Sequence, residues 1–475
     1  MADAEKCFDK LWLKDCLVDM KEEGLRDKEV ALIYELNKKA NIVIETPAGK
    51  TKEIKVSDIV KQGTVFGPQL CCINTSKVNE INEKNITVIT PKIKIEALVY
   101  VDDIIGIGSK ENIEIVGRNL AEMEKRKKYT FNNGNGKSHY MMIKTGVEPE
   151  EEVGIKVEKG KIEKTVEYKY LGNWINEKGT VERQVKEIRS KIKGMALEAK
   201  RIGHEKKTGN MSTDVIISIY EKTIIPAILY NFEVWTNWRK KDWEEMEKVQ
   251  AEALKIMFDL PISTPYWGML AEFGIWTMRK RVMYKKMSLY HNIINSKGNR
   301  LSKQVIEEQI RTKVENGWYK EVERDGEEIE IDVTKVKEYT KEQWKNMIKE
   351  KINKMMEKES KEKRQKMKKL AGQRQQKHER QMYTIGRSRK EVTNLLKTKI
   401  QMWDIGGNLG AKRKCYACEM EETENHIMNC KKVKEIITRN IEIDILSIKT
   451  NVEEKTKFFI EYINMREKQE KKKTI

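Results

Sequence analysis

Residues 96–108 read EALVYVDDIIGIG. Val99, Tyr100, Ile104 and Ile105 are β-branched or aromatic, the residue types that favour strands, and between them stand two adjacent carboxylates, Asp102 and Asp103. The stretch from Val99 to Ile107 therefore reads as two short strands around a tight turn. A charged pair inside an apolar hairpin is costly unless a cation neutralises it, and a divalent ion is the natural candidate. Successive strand residues face opposite ways, so the two aspartates alone cannot both aim into one site, and a carboxylate from another strand would complete it. Asp3, in MADAEKCFDKLWL at residues 1–13, supplies one. The other reading is a surface turn with two solvated aspartates, which the flanking Val99, Tyr100, Ile104 and Ile105 disfavour.

A chain of 475 residues can bury a sizeable core, and its length suggests roughly two to four domains. Lys and Arg number 94 against 75 Asp and Glu, a net charge of +19 with a pI near 9.2. That balance is expected of a protein that meets a polyanion. The excess is concentrated: residues 351–400 hold 17 Lys and Arg against 5 Asp and Glu, net +12. Two readings of this segment stand side by side, a nucleic-acid contact surface and a solvated lysine-rich helix. Seven Cys in a long chain with no apolar signal segment at its start imply an intracellular, reducing location, nucleus or cytoplasm rather than secretion. No stretch has the roughly 18 apolar residues of a membrane span.

Residues 1–175 mix short apolar runs, helical periods and turn signals, the pattern of an α+β domain. Within KIEKTVEYKYLGNWI (161–175), Val166 to Ile175 reads as strand. The character changes at Gly179. Val181, Val185, Ile188, Ile192 and Met195 recur at spacings of three and four, an amphipathic helix. Two more helical patterns follow, WEEMEKVQAEALKIMFDLP (243–261) and RKRVMYKKMSLYHNII (279–294), the latter with Val282, Leu289 and Ile293 on one face. Methionine and aromatic stripes of this kind belong to cores far more often than to cofactor sites. Residues 301–400, broken by ENGW (315–318) and RDGEE (324–328), read as extended helices with exposed faces. There is no internal repeat.

Cys415, Cys418, His426 and Cys430 have the spacing C-x2-C-x7-H-x3-C. The first pair fits a tight turn and the last pair one helical turn, so four ligands can converge on a tetrahedral zinc with no open position. The alternative is two reduced cysteines beside an unrelated His and Cys. Cys7, Cys16, Cys71 and Cys72 lie in apolar segments and read as buried thiols, and His139, His204, His291 and His378 show no ligand pattern.

In order along the chain, DAEKCFDKLW (3–12), KQGTVFGPQLC (61–71), YVDD (100–103), YKYLGNWI (168–175), LPISTPYWGMLAEFGI (260–275) and CYACEMEETENHIMNC (415–430) resemble the sequence blocks of the reverse transcriptases of non-LTR, LINE-like retrotransposons. They correspond to the first palm motif, the Gln-Gly motif, the polymerase hallmark, the primer grip, the helical region after the thumb and the C-terminal zinc knuckle. The resemblance spans residues 3 to about 435 and implies an α+β, right-hand polymerase palm followed by a mainly helical thumb and C-terminal region. It divides the chain into a partial palm (1–175), a helical thumb and post-thumb region (176–300), a charged, basic helical region (301–410), a CCHC knuckle (411–435) and a basic helical tail (436–475).

The same resemblance implies an RNA-directed DNA polymerase. Asp3 and Asp102, with Asp103 beside them, would hold two Mg2+ ions, and the knuckle a structural Zn2+. Phe8 would block the 2′-hydroxyl of the incoming nucleotide and so favour deoxynucleotides; the bland reading is a core residue, and the two roles are compatible. Gln62 and Gly63 would lie where template base and nucleotide meet, and Tyr100 would also bind substrate. Lys137, in NNGNGKSHY (132–140), would belong to the block that assists catalysis, or would be a solvated lysine. The implied partners are an RNA template, a DNA primer or nicked target DNA, and deoxynucleoside triphosphates, with no membrane. In that family the fingers precede the first motif. Their place before Asp3 leads to the expectation of an N-terminally truncated element whose activity is impaired, the alternative being a non-enzymatic nucleic-acid-binding remnant.

Overall fold

The computed structural model describes residues 1–4, 7–38, 40–56, 60–61, 63–80, 87–90, 93–95, 97–127, 130–132, 137–143, 155–157, 160–202, 211–367, 378–409 and 413–474. They form two compact units, Met1–Gly179 and Thr180–Ile475, and the boundary falls where the sequence changes character.

The first unit is built on a three-stranded antiparallel sheet. β1 (Ala2–Asp3) pairs with β3 (Asp103–Ile105), which pairs with β2 (Leu98–Tyr100). The register sets Ala2 opposite Ile104 and Asp3 opposite Asp103, and on the far side Tyr100 opposite Asp103. Because facing residues share a face of the sheet, Ala2, Ile104 and Val99 turn toward the core, where Ala2 and Ile104 are buried. Asp3, Asp103 and Tyr100 form a row on the other face. One packed and one open face is the usual condition of an antiparallel sheet. The helices under it are α1 (Cys7–Lys10), α2 (Leu13–Glu22), α3 (Asp27–Asn37), α4 (Gly67–Ser76) and α5 (Lys110–Lys127). α2 buries Leu13, Cys16, Leu17 and Met20 at helical spacing, and α4 buries Leu70 and Cys71 against it. The strand expected at Val166–Ile175 is a hairpin, β4 (Glu167–Tyr170) and β5 (Asn173–Asn176), turned at Leu171 and Gly172.

The named elements of the second unit are helical. The helix predicted from Val181 onward is α6 (Glu182–Ile202), whose buried face is Val185, Ile188, Ile192, Ala196 and Ala199. It packs on α7 (Lys240–Met257). In α8 (Met278–Ile294) the buried face runs through Met278, Val282, Met283, Met287, Tyr290 and Ile294. Leu289 and Ile293 are only half-buried, so the face expected from the sequence is displaced toward the methionines. α9 (Lys341–Gln365) is not an exposed helix throughout: Trp344, Ile348, Ile352 and Met356 are completely buried, and the Trp344 indole donates to Met287 O at 3.0 Å. One apolar core therefore runs from Val181 to Met402, across residue 300. Α smaller cluster joins Trp403, Ile405, Cys415, Ile427 and Cys430 to Phe458, Phe459 and Tyr462 of a C-terminal helix, Val452–Thr474.

Many of the cations counted in residues 351–400 are paired inside this unit. Lys351, Lys354, Arg380, Arg387 and Lys399 each have a carboxylate oxygen within 3.0 Å, on Glu330, Glu350, Asp214, Glu453 and Glu272. Lys368, Lys369, Arg374 and Lys377 lie outside the described residues.

Three helices of the first unit are tied by one buried charge. Asp19 of α2 is 4% exposed; its Oδ2 accepts from Asn74 Nδ2 of α4 at 2.6 Å, and Lys127 Nζ of α5 lies 2.8 and 2.9 Å from its two oxygens. Removing one partner of such a network strands the others. Asp19→Ala is expected to lower the unfolding free energy by about 3–5 kcal/mol in a denaturant titration, and a loss below about 1 kcal/mol would show that the network adds little.

Candidate functional site

The turn between β2 and β3 is unusual in its chemistry. Val101 has φ +59°, a left-handed conformation that is a genuine outlier for a β-branched residue and costs on the order of 1–3 kcal/mol. α4 holds it there. Val101 N donates to Cys72 Sγ at 3.2 Å, and the Thr75 hydroxyl donates to Val101 O at 2.8 Å. The N–H and the C=O of the strained residue thus both face side chains of one helix. The consequence is positional: Asp102 sits in the turn itself, its carbonyl accepting from Ala4 N at 3.3 Å, while Asp103 begins the next strand.

The sheet sets Asp3, Asp102 and Asp103 on neighbouring positions. The residue directly across the sheet from Asp3 is Asp103, and Asp102 lies at the adjoining turn. All three are half-buried. Burial raises the Asp102 carboxyl above its ordinary range, Asp3 adds to the shift and Lys137 opposes it. Burial and the negative charges of Asp102 and Asp3 push Asp103 up to about 6. Lys137 places its ammonium 3.4 Å from Asp3 Oδ2 from a largely exposed position, so the cluster is acidic even with its lysine.

Residues that the sequence reading did not single out hold Asp3. Its N–H donates to Ser138 Oγ at 3.1 Å, its carbonyl accepts from Asn132 N at 2.9 Å, and its Oδ2 accepts from Asn132 Nδ2 at 2.5 Å. Asn132 and Ser138 lie in the same NNGNGKSHY stretch as Lys137. Tyr168 of β4 donates its phenol to the Lys137 carbonyl. Burial, then Asp103 and Asp3, push that phenol up to about 12, and burial and Asp103 raise Tyr170 as well. The YKYLGNWI hairpin therefore borders the carboxylates.

Phe8, on α1, is half-buried against the core of the first unit. Its ring lies beside the first turn of α4, where a Cβ on Gly67 would sit 3.5 Å from Phe8 Cε1 and 2.9 Å from Lys61 O. Gly63 has φ +84°, a conformation glycine adopts without strain, and the space around it is open. Gln62 is outside the described residues. Tyr100 is exposed at the edge of the carboxylate row.

In the second unit Cys415, Cys418, His426 and Cys430 converge, with their ligand atoms all within 4.8 Å of one another. Cys418 Sγ is 3.1 Å from His426 Nε2 and 3.7 Å from Cys430 Sγ. Cys415 and Cys418 flank a turn in which Cys415 N donates to Met420 O at 2.7 Å. His426 lies on the short helix Glu424–Asn429, capped by the Thr423 hydroxyl. The sequence reading missed the support beneath. Glu422 is fully buried and its carboxylate accepts from Gly406 N at 2.7 Å, the Tyr462 hydroxyl at 2.8 Å and Arg466 Nη1 at 3.1 Å.

Each donor set suits a different ion. The three carboxylates are hard oxygen donors, the ligand type that Mg2+ takes. Three thiols and one imidazole suit zinc, whose tetrahedral bonds of about 2.3 Å to sulfur set sulfurs about 3.8 Å apart.

The raised Asp103 gives a pH-dependent prediction for the metal-free protein. With a folded pKa near 6 against an unfolded value near 3.9, the native state binds the extra proton between these values. Stability then falls as pH rises from about 4 to about 6 and stays reduced above it. Asp103→Asn is expected to raise the Tm at pH 7.5 and to leave it unchanged below about pH 4, which thermal melts in chelator across this range would measure. An equal effect at both pH values would refute the repulsion.

No curated protein matches the chain. Among the described residues no helix is long and apolar enough to cross a membrane. Residues 1–175 match the sequence model of the family described as reverse transcriptase (RNA-dependent DNA polymerase), and the match ends within the first unit. Over residues 1–175, then, the chain is similar to the RNA-directed DNA polymerases of that family.

Proposed function

We propose that the chain is the reverse transcriptase of a non-LTR, LINE-like retrotransposon, copying an RNA template from the 3′-hydroxyl of a DNA primer or of nicked target DNA. The observation that carries this reading is the juxtaposition of Asp3, opposite Asp103 in the sheet, with Asp102 in a turn held by α4. Asp3, Asp102 and Asp103 would hold Mg2+. Two such ions, when bound, activate the primer hydroxyl and stabilise the leaving pyrophosphate. Lys137 tempers the carboxylate charge from the solvent side. Phe8, beside Gly67, walls the sugar pocket and favours deoxynucleoside triphosphates, and Gly63 lets backbone approach the base pair being formed. Tyr100, Tyr168 and Tyr170 border the carboxylates, where the primer end is expected. In the second unit the Cys3His cluster holds a structural zinc, and the exposed cations contact phosphates without reading sequence.

The test is primer extension on an RNA template with deoxynucleotides and Mg2+. Extension that Asp102→Ala abolishes supports the reading; extension surviving Asp102→Ala overturns it. The zinc assignment makes its own prediction. The full chain should carry one zinc, and chelation should lower its Tm and change the fluorescence of Trp403, which stacks on Phe459 at 5.6 Å. Full zinc content in a His426→Ala variant would count against it.

A further inference from the structure

We propose that Asn132 is the residue that positions the Asp3 carboxylate for metal binding. The inference rests on the polymerase reading and goes beyond it by assigning a role that neither the sequence blocks nor the carboxylates themselves disclose.

The geometry has two parts. The backbone of Asn132 fixes where Asp3 is, since Asn132 N donates to Asp3 O at 2.9 Å and the adjacent Phe131 bridges Ala4. The side chain fixes how Asp3 is turned, since Asn132 Nδ2 donates to Asp3 Oδ2 at 2.5 Å. Lys137 approaches the same oxygen, at 3.4 Å. Both donors therefore converge on Oδ2, and this rotamer leaves Oδ1 as the oxygen for a cation. A carboxylate on a two-residue edge strand, opposite a second carboxylate, is otherwise free to swing away from Asp103. The amide donor opposes that repulsion without adding charge, and it works through a single side-chain atom that can be removed while the backbone bond remains. Hydrogen-bond partners of ligating carboxylates typically change metal affinity by 10–100-fold when replaced.

The experiment uses the full chain as wild type, Asn132→Leu, Asn132→Ser and Asp102→Ala. Leucine keeps the volume and removes the donor; serine keeps a shorter donor. Three quantities are read: the Tm without metal, Mn2+ affinity by electron paramagnetic resonance, and the Mg2+ concentration for half-maximal primer extension. Asn132→Leu is expected to keep the metal-free Tm, to weaken Mn2+ binding at least about 10-fold, and to raise the Mg2+ requirement in parallel while KM for the primer-template stays unchanged. Asn132→Ser should fall between. Unchanged Mn2+ affinity and Mg2+ requirement would overturn the proposal, as would a fall in Tm with metal affinity intact. If Asn132→Leu does not fold, Asn132→Ser decides by the same two readouts. Failure of the broader reading looks different: extension that survives Asp102→Ala removes the polymerase assignment, while the Mn2+ measurement still reports on Asn132.

Discussion

The left-handed Val101 is the constraint on which the candidate active site depends. A two-residue connection between β2 and β3 must reverse the chain, and here a valine occupies a position that glycine or asparagine would fill without strain. The cost is tolerated because α4 offers a partner to the N–H and to the C=O of Val101, through Cys72 Sγ and the Thr75 hydroxyl. Any relaxation of Val101 toward ordinary dihedrals would rotate Asp102 and shift β3, and with β3 the register that sets Asp103 opposite Asp3. α4 is in turn located by the Asn74 contact to the buried Asp19 of α2, whose charge Lys127 of α5 neutralises. A chain of short polar contacts thus runs from a buried ion pair to the hairpin carrying the carboxylates. Strain at the turn is supported by stability stored elsewhere, as functional sites commonly require.

Two groups of acidic residues in the first unit illustrate opposite treatments of charge. Asp19 is nearly sealed from water and fully compensated, with a lysine and an amide on its two oxygens. Asp3, Asp102 and Asp103 are partly open to water and undercompensated, and the proximity shows in the raised Asp103. The first arrangement fixes helices. The second leaves repulsion that a cation would relieve, because one side-chain amide and one lysine, both on Asp3, face three carboxylates.

The hairpin at Val99–Ile107 and the helix from Val181 were legible because each depends on local pattern, an apolar run cut by a charged pair and a repeat of three and four. The convergence of Cys415, Cys418, His426 and Cys430 was legible for a similar reason, since turn and helix geometry bring closely spaced ligands together. The pairing of Asp3 with Asp103 rather than Asp102 was not. Register between strands so distant in sequence is set by contacts such as Ala4 N to Asp102 O, which no periodicity announces. Asn132 and Ser138 were hidden because short polar residues in a glycine-rich stretch of sequence look the same whether they hold a carboxylate or face water. The buried stripe of α9 was masked by its lysines and glutamates, and Leu289 and Ile293 drew attention from the softer methionines that fill the core beside them.

The Cys3His cluster completes the comparison, because it is supported where the carboxylate site is open. Cys415 and Cys430 are buried in the apolar cluster that includes Phe458, Phe459 and Tyr462, and the fully buried Glu422, seven residues after Cys415, ties Tyr462 and Arg466 of the C-terminal helix to Gly406. A buried carboxylate with three donors resists displacement, since withdrawing any one leaves a charged group in an apolar setting. The ligand loop and the C-terminal helix are therefore coupled through Glu422 independently of any ion. An ion bound by the four ligands would add to a framework already connected by hydrogen bonds, which is what a structural site requires. On the function proposed above, an ion at the carboxylates would instead enter and leave with substrate, and a half-exposed sheet face would suit that exchange.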